Sequence, residues 1–242
     1  MRIVYFDCFW GISGDMLLAS LLDLGLDLDV FLGSFRKAEL PLFEFKVRKI
    51  IKGEILATQI AIKSGNKKLF SYLEFKEMIK NSKLPLRIKK KALSSFVTLA
   101  ETEKKIHGVK GKDFHFEQLG EMDTLVDIVG TYIALDLLKI EKVYFSRLRL
   151  ARGGFFRHGK RSLPLPGPAV LELLKGFPLE LIESPYEYIT PTGAVLVKEL
   201  SRGRIANLPR FKILGIGYGA GSINFGSSPN LLRVILGKTP SP

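Results

Sequence analysis

The sequence predicts an α/β or α+β chain: a mixed sheet with flanking helices, folded as a single compact domain over residues 1–242. Strand and helix patterns intermix, two stretches alternate as a hairpin does, and no linker or composition break divides the 242 residues. Hydrophobic residues make up 46% and charged residues 25%, a globular balance with enough apolar surface for one sizeable core.

Residues 2–9 form a short apolar and aromatic run, predicted as a buried strand. Gly11 to Gly14 make a tight loop, and a helix is predicted from Asp15 to Leu24, ended by Gly25. A second helix is expected over Leu28–Lys37. Phe43, Phe45 and Val47 alternate with Glu44, Lys46 and Arg48, so 43–50 and 54–62 are expected to pair across Lys52-Gly53. Helices follow over 70–81 and 86–106, the second opening after Pro85 with Ile88, Leu93, Phe96, Leu99 and Ala100 as its inward stripe. A short strand at 114–118, a mostly buried helix at 121–139 and a strand at 142–150 come next. Residues 152–162, rich in glycine and arginine, are expected as a loop. Helices over 169–175 and from Thr190 to Leu200, then strands near 211–218 and 231–236, complete the chain.

Several classes of function are excluded or disfavoured. The lone cysteine, Cys8, cannot staple a fold, and a reducing, cytoplasmic setting fits it. The longest apolar stretch, Leu125–Leu138, carries Asp127 and Asp136, so no membrane association is expected. Asp7 and Asp15 break any signal-peptide pattern. The net charge is +13; residues 63–112 hold 14 basic and 4 acidic residues, whereas 113–141 hold 1 basic and 7 acidic. A basic balance suggests an anionic partner, although the plainer and favoured reading of the 63–112 segment is a solvated lysine-rich helical face. Without interleaved aromatics or a recognised motif, nucleic acid is not an expected partner.

Three segments carry candidate chemistry. In Asp7-Cys8-Phe9-Trp10-Gly11-Ile12-Ser13-Gly14-Asp15, a strand, a glycine turn and a helix start aim backbone N–H groups and a helix dipole at one spot. Such a turn accepts an anion, and Asp7 and Asp15 can hold a metal or a hydroxyl; the plainer reading has Ser13 or Asp15 capping the helix. In Phe114-His115-Phe116-Glu117, strand alternation places His115 and Glu117 on one face, and Asp123 and Asp127 lie one turn apart on the following helix. One imidazole and three carboxylates fit a divalent metal, nickel or zinc through the imidazole, magnesium or manganese through the carboxylates. The third segment, Arg152-Gly153-Gly154-Phe155-Phe156-Arg157-His158-Gly159-Lys160-Arg161, concentrates cations suited to phosphate or carboxylate. Thr190-Pro191-Thr192-Gly193 is a helix start that can also accept an anion. The alternating glycines of 215–221 are a weak signal, compatible with a bulged strand end. His107 is expected as a partner of its helix C-terminus.

Taken in order, D-C-F-W-G-I-S-G-D-M at 7–16, F-H-F-E-Q-L-G-E-M-D-T-L-V-D-I at 114–128, H-G-K-R-S-L-P-L-P-G-P-A at 158–169, T-P-T-G-A at 190–194 and G-Y-G-A-G at 217–221 with P-N-L-L-R-V at 229–234 resemble the LarC family of nickel insertion proteins. The resemblance implies a component of a CTP-dependent nickel insertase. Such an enzyme metallates pyridinium-3,5-bisthiocarboxylic acid mononucleotide, forming nickel–carbon and nickel–sulfur bonds, to make the nickel-pincer cofactor of lactate racemase-type enzymes. CTP would act with Mg or Mn. Family members continue into a C-terminal domain associated with CTP, so the chain is expected to be the N-terminal part, working with a separate C-terminal domain. A homo-oligomer is a further expectation. For this reaction Asp7, Asp15 and His158 are the expected catalytic residues, and His115, Glu117, Asp123 and Asp127 the metal ligands. Gly11, Ser13, Gly14, Arg157, Lys160, Thr190, Thr192 and Gly193 would bind the mononucleotide. The alternative is a non-catalytic nickel-binding metallochaperone or scaffold that needs a partner chain.

Overall fold

The computed structural model describes residues 1–63, 68–111, 116, 119–158, 161–201, 208–223, 225–226 and 229–240, with backbone alone at 157, 158 and 161. Its elements run β1 (Arg2–Asp7), α1 (Gly14–Asp23), α2 (Leu28–Lys37), β2 (Glu44–Lys52), β3 (Ile55–Lys63), α3 (Tyr72–Asn81), α4 (Leu86–His107) and α5 (Met122–Leu137). They continue β4 (Lys142–Phe145), β5 (Leu148–Arg152), β6 (Phe155–His158), β7 (Arg161–Pro164), α6 (Pro168–Leu173), β8 (Leu179–Glu183), α7 (Pro191–Ser201), β9 (Lys212–Ala220) and β10 (Leu231–Lys238). The predicted mixed sheet with flanking helices is present.

The main sheet has six strands in the order β2-β3-β9-β10-β1-β4. β2–β3, β9–β10 and β10–β1 are antiparallel, while β3–β9 and β1–β4 are parallel. Helix α1 packs on β3, β9 and β10 and against α5. The glycines of β9 make this approach possible. A Cβ at Gly219 would stand 2.7 Å from Ser20 N, and one at Gly217 would stand 3.1 Å from Leu24 N. Alternate glycines here therefore serve a close helix–sheet contact, not a bulged strand end; the bulge of the β9–β10 pair lies at Leu236/Gly237. Asp23, at the last turn of α1, fastens the same contact. Its carboxylate accepts from Lys49 Nζ, from Thr58 Oγ1 and from the backbone N–H of Tyr218 at 2.8 Å. The core beneath holds Phe6, Ile12, Leu17, Leu18, Val129 and Val195, each inaccessible to solvent.

Two further expectations need correction. The predicted strand at 142–150 is two strands: β4 pairs with β1, whereas β5 leaves the main sheet at Ser146-Arg147 and pairs in parallel with β8. The expected loop at 152–162 instead carries the antiparallel hairpin β6–β7, with Phe156 opposite Leu163 and His158 opposite Arg161. β8 was not anticipated from the sequence: four of its five residues are exposed, so it lacks a burial pattern. The strand expected at 114–118 falls on residues outside those described, except Phe116, which is buried and belongs to no strand. No described helix is long and apolar enough to cross a membrane.

Candidate functional site

The glycine turn after β1 is held from two sides by the segment leading into α7. Ile12 N donates to Tyr188 O at 2.8 Å, and Thr190 N donates to Ile12 O at 3.3 Å. Gly11 has φ +99°, where a side chain is strained, and a Cβ there would sit 2.9 Å from the Tyr188 carbonyl carbon. Gly193 presses on the turn from α7: its Cβ would stand 2.9 Å from the Ile12 carbonyl carbon and 3.0 Å from Ser13 Cα. Gly14 admits α5, since a Cβ there would meet Asp127 Cβ at 2.7 Å and Cγ at 2.8 Å. The turn, α5 and the start of α7 thus converge on one place, which explains why small residues stand at these positions.

Ser13 is the N-cap residue of α1 but its hydroxyl makes no cap bond. It donates instead to Asp15 Oδ1, which also accepts from Met16 N at 2.9 Å. Burial pushes the Asp15 carboxyl above its usual range, against the lowering effect of the Ser13 bond and of the more distant Lys52 ammonium. Asp123 and Asp127 lie on the first two turns of α5. Asp123 is exposed, and its Oδ1 accepts from Thr124 N at 2.6 Å. Desolvation, then the Glu121 and Asp15 charges, raise it against that bond. Asp127 is buried, at 6% exposure, and its Oδ1 has no hydrogen-bond partner. Desolvation together with the charges of Asp15 and Asp123 pushes its carboxyl well above the usual range. A buried, unpartnered carboxyl is costly to keep, and such groups concentrate at functional sites.

Asp123 and Asp127 line a cavity of about 380 Å³ together with Thr190, Thr192, Tyr186 and Glu187. Thr190 Oγ1 accepts from Gly193 N at 3.2 Å and lies 2.9 Å from Thr192 Oγ1, so it caps α7 at the cavity wall. Tyr186 and Tyr188 pack on the buried ring of Phe225, with centroids 5.0 and 4.9 Å away. Phe156 of the β6–β7 hairpin lines the same cavity, which brings the backbone of Arg157 and His158 to its edge. The side chains of Arg157 and His158, and all of Lys160, His115 and Glu117, lie outside the described residues. Among the described residues, no group of three or more His, Cys, Asp or Glu side chains is placed to hold a metal by itself.

Asp7 is placed differently. It stands opposite Arg233 in the β1–β10 register and forms an ion pair with its guanidinium. The described lining of the cavity does not include it. Cys8 is fully buried, and its thiol is pushed up, chiefly by burial. His107, at the end of α4, has Nε2 3.3 Å from Glu103 Oε2.

Sequence reasoning missed Glu187 and Lys52. Glu187 sits between Tyr186 and Tyr188 on the cavity wall, outside any recognised motif. Lys52, in the β2–β3 hairpin, donates to the carbonyls of Gly221 and Ile223 at 2.7 and 2.8 Å, and Ile223 is itself a cavity residue. Only the fold brings that hairpin to the site.

This arrangement is that of an α/β protein with a carboxylate-lined cavity beside two helix N-termini. The family profile for nickel insertion proteins matches residues 4–242, and the chain belongs to that family. A relative from Wolinella succinogenes, named as a nickel insertion protein, is 40% identical over 99% of this chain and 61% of its own length. One from Geotalea uraniireducens, named likewise, is 38% identical over 98% of this chain and 61% of its own. A relative from Desulfitobacterium hafniense is named as a pyridinium-3,5-bisthiocarboxylic acid mononucleotide nickel insertion protein. It is 38% identical over 98% of this chain and 59% of its own length. The chain therefore spans about three fifths of the curated relatives it matches. No solved structure gives a significant match.

Proposed function

We propose that this chain is the nickel- and mononucleotide-binding portion of an insertase that places nickel in pyridinium-3,5-bisthiocarboxylic acid mononucleotide. The observation that carries this reading is that the α5 carboxylates and the α7 N-terminus line one cavity, with the glycine turn packed against both, in a chain of the nickel insertion family. Nickel is the cargo. Asp123 and Asp127 offer carboxylate oxygens, His115 and Glu117 supply the remaining protein donors, and the sulfurs of the mononucleotide complete the set. The pyridinium ring is a flat cation. The acidic wall and the Tyr186 ring suit it, and the Thr190–Gly193 helix start and the Gly11–Gly14 turn suit its phosphate. Arg157 and Lys160 supply counter-charge, and Asp15 and His158 are the acid–base candidates; Asp7, ion-paired with Arg233, stands apart from the cavity.

In this reading the chemistry takes place in the cytoplasm, and a region equivalent to the rest of the relatives' length supplies CTP binding with Mg or Mn. The product serves lactate racemase-type enzymes. The chain by itself accordingly breaks down CTP far more slowly than the complete assembly. The direct test is calorimetric titration of nickel into dialysed protein. The wild type is expected to bind stoichiometrically, and an Asp123→Asn, Asp127→Asn double variant to bind at least about tenfold more weakly, as loss of two ligands requires. Equal affinity in the double variant refutes the assignment.

A further inference from the structure

The cavity has a neighbour that the roles above leave unused. A smaller chamber of about 80 Å³, enough for a few water molecules, lies between α4, α6 and the hairpin, and Glu103 and His107 line it. Phe156, Glu187 and Pro191 line both chambers. Glu187 is the titratable residue shared by the two walls. Its carboxyl has no hydrogen-bond or ion-pair partner among the described residues. Burial alone pushes it up to about 7. In the lining of the small chamber, His107 is paired with Glu103 and is 43% exposed at its side chain, so that pair reaches solvent.

We propose that Glu187 is the catalytic residue that takes the proton released on metallation and passes it, through the small chamber, to the Glu103–His107 pair. This role rests on the proposed function. A nickel ion held by sulfurs on ring positions 3 and 5 of the mononucleotide stands against ring carbon 4, which carries a hydrogen. The carbon–hydrogen bond breaks, its electron pair becomes the carbon–nickel bond, and the proton goes to a carboxylate oxygen of Glu187. Nothing is oxidised or reduced. Ionised thiocarboxylates have no proton to give, so the ring hydrogen is the one that must leave. The aspartates of α5 are poor acceptors, since bound nickel would occupy them. The described polar and titratable groups that line the two chambers with Glu187 are Tyr186, the α5 residues Asp123, Thr124 and Asp127, Thr190 and Thr192 at the start of α7, and Glu103 and His107 from α4; the charges among them do not shift its carboxyl. Among the described residues, no cation shifts the Glu187 carboxyl, and burial is the cause of its raised value.

The experiment uses the protein in its complete, metallating form, together with CTP, nickel and the mononucleotide. Glu187→Gln is expected to keep nickel and mononucleotide affinity within about threefold and to slow metallation roughly 100-fold. The acid limb of the wild-type pH–rate profile, centred near the value of Glu187, is expected to vanish in that variant. Glu187→Ala is expected to be slow and to recover in proportion to added formate, which a merely structural role would not allow. Metallation by Glu187→Gln within about threefold of wild type, an unchanged acid limb, loss of binding in that variant, or no rescue by formate each overturns the role. A wild-type protein that binds neither nickel nor mononucleotide instead overturns the proposed function, and this role with it.

Discussion

Replacing Gly14 by Ala tests the contact that joins the glycine turn to the acidic helix. Gly14 stands at the first turn of α1 and is buried. The added methyl would lie 2.7 Å from Asp127 Cβ and 2.8 Å from its Cγ, and closer still to Oδ2. A rotamer change can move Cγ and the oxygens, but Cβ is fixed by the backbone of α5. Relief therefore requires a helix to shift, which puts the steric cost near the top of the overpacking range, about 3 kcal/mol. Gly→Ala also stiffens the unfolded chain, which returns about 0.4–1 kcal/mol. The net loss is about 2 kcal/mol, or a fall in Tm of roughly 4–8 °C for a chain of this size. Differential scanning calorimetry of Gly14→Ala reads it directly. Asp127→Gly removes all three opposing atoms, so the double variant should be more stable than the sum of the single effects by at least about 1 kcal/mol. A Tm equal to or above wild type for Gly14→Ala, or strict additivity in the double variant, would refute the placement of Asp127 against the turn.

Two further substitutions probe the same framework. Asp127→Asn should gain stability over wild type as pH rises from about 5 to 8. The raised native carboxyl of Asp127 holds a proton that the unfolded chain has released, so wild-type stability falls as pH rises from the ordinary carboxylate range toward the raised native value, and asparagine lacks that slope. Parallel urea-unfolding profiles at the two pH values would contradict it. Asp23→Ala leaves the Tyr218 N–H and the Thr58 hydroxyl without their acceptor. It should cost about 1–3 kcal/mol in denaturant unfolding, with Asp23→Asn recovering part; an unchanged midpoint would show that α1 is held to the sheet by packing alone.

Much of the fold was legible because its elements carry local signals. Helix α2 has the predicted ends, with the Asp27 carboxylate accepting from Val30 N, and β2 and β3 pair as expected, although Val47 of the alternating run is exposed. What was not legible depends on partners distant in sequence. The break at Ser146-Arg147 is visible only because β1 takes one half and β8 the other. The β6–β7 hairpin is built from residues whose glycines and arginines mark a loop. The glycines of β9 read as a strand end until α1 is laid on them.

The site divides in the same way. Asp15, Asp123, Asp127, Thr190, Thr192 and the turn glycines stand in motifs, and the fold brings them together. Glu187 and Lys52 carry no motif, and only the chain path places them at the cavity. Asp7 illustrates the converse: it stands in a motif, and its described partner is Arg233 across the sheet.

The account's central claim is that nickel is received at the cavity between α5, the glycine turn and the start of α7. Crystals of the chain soaked in a nickel salt, with diffraction recorded on both sides of the nickel absorption edge, test it most directly. The account predicts an anomalous peak within coordinating distance of the Asp123 or Asp127 carboxylates, lost in the Asp123→Asn, Asp127→Asn variant. A fully occupied peak elsewhere, with the α5 carboxylates bare, would contradict it.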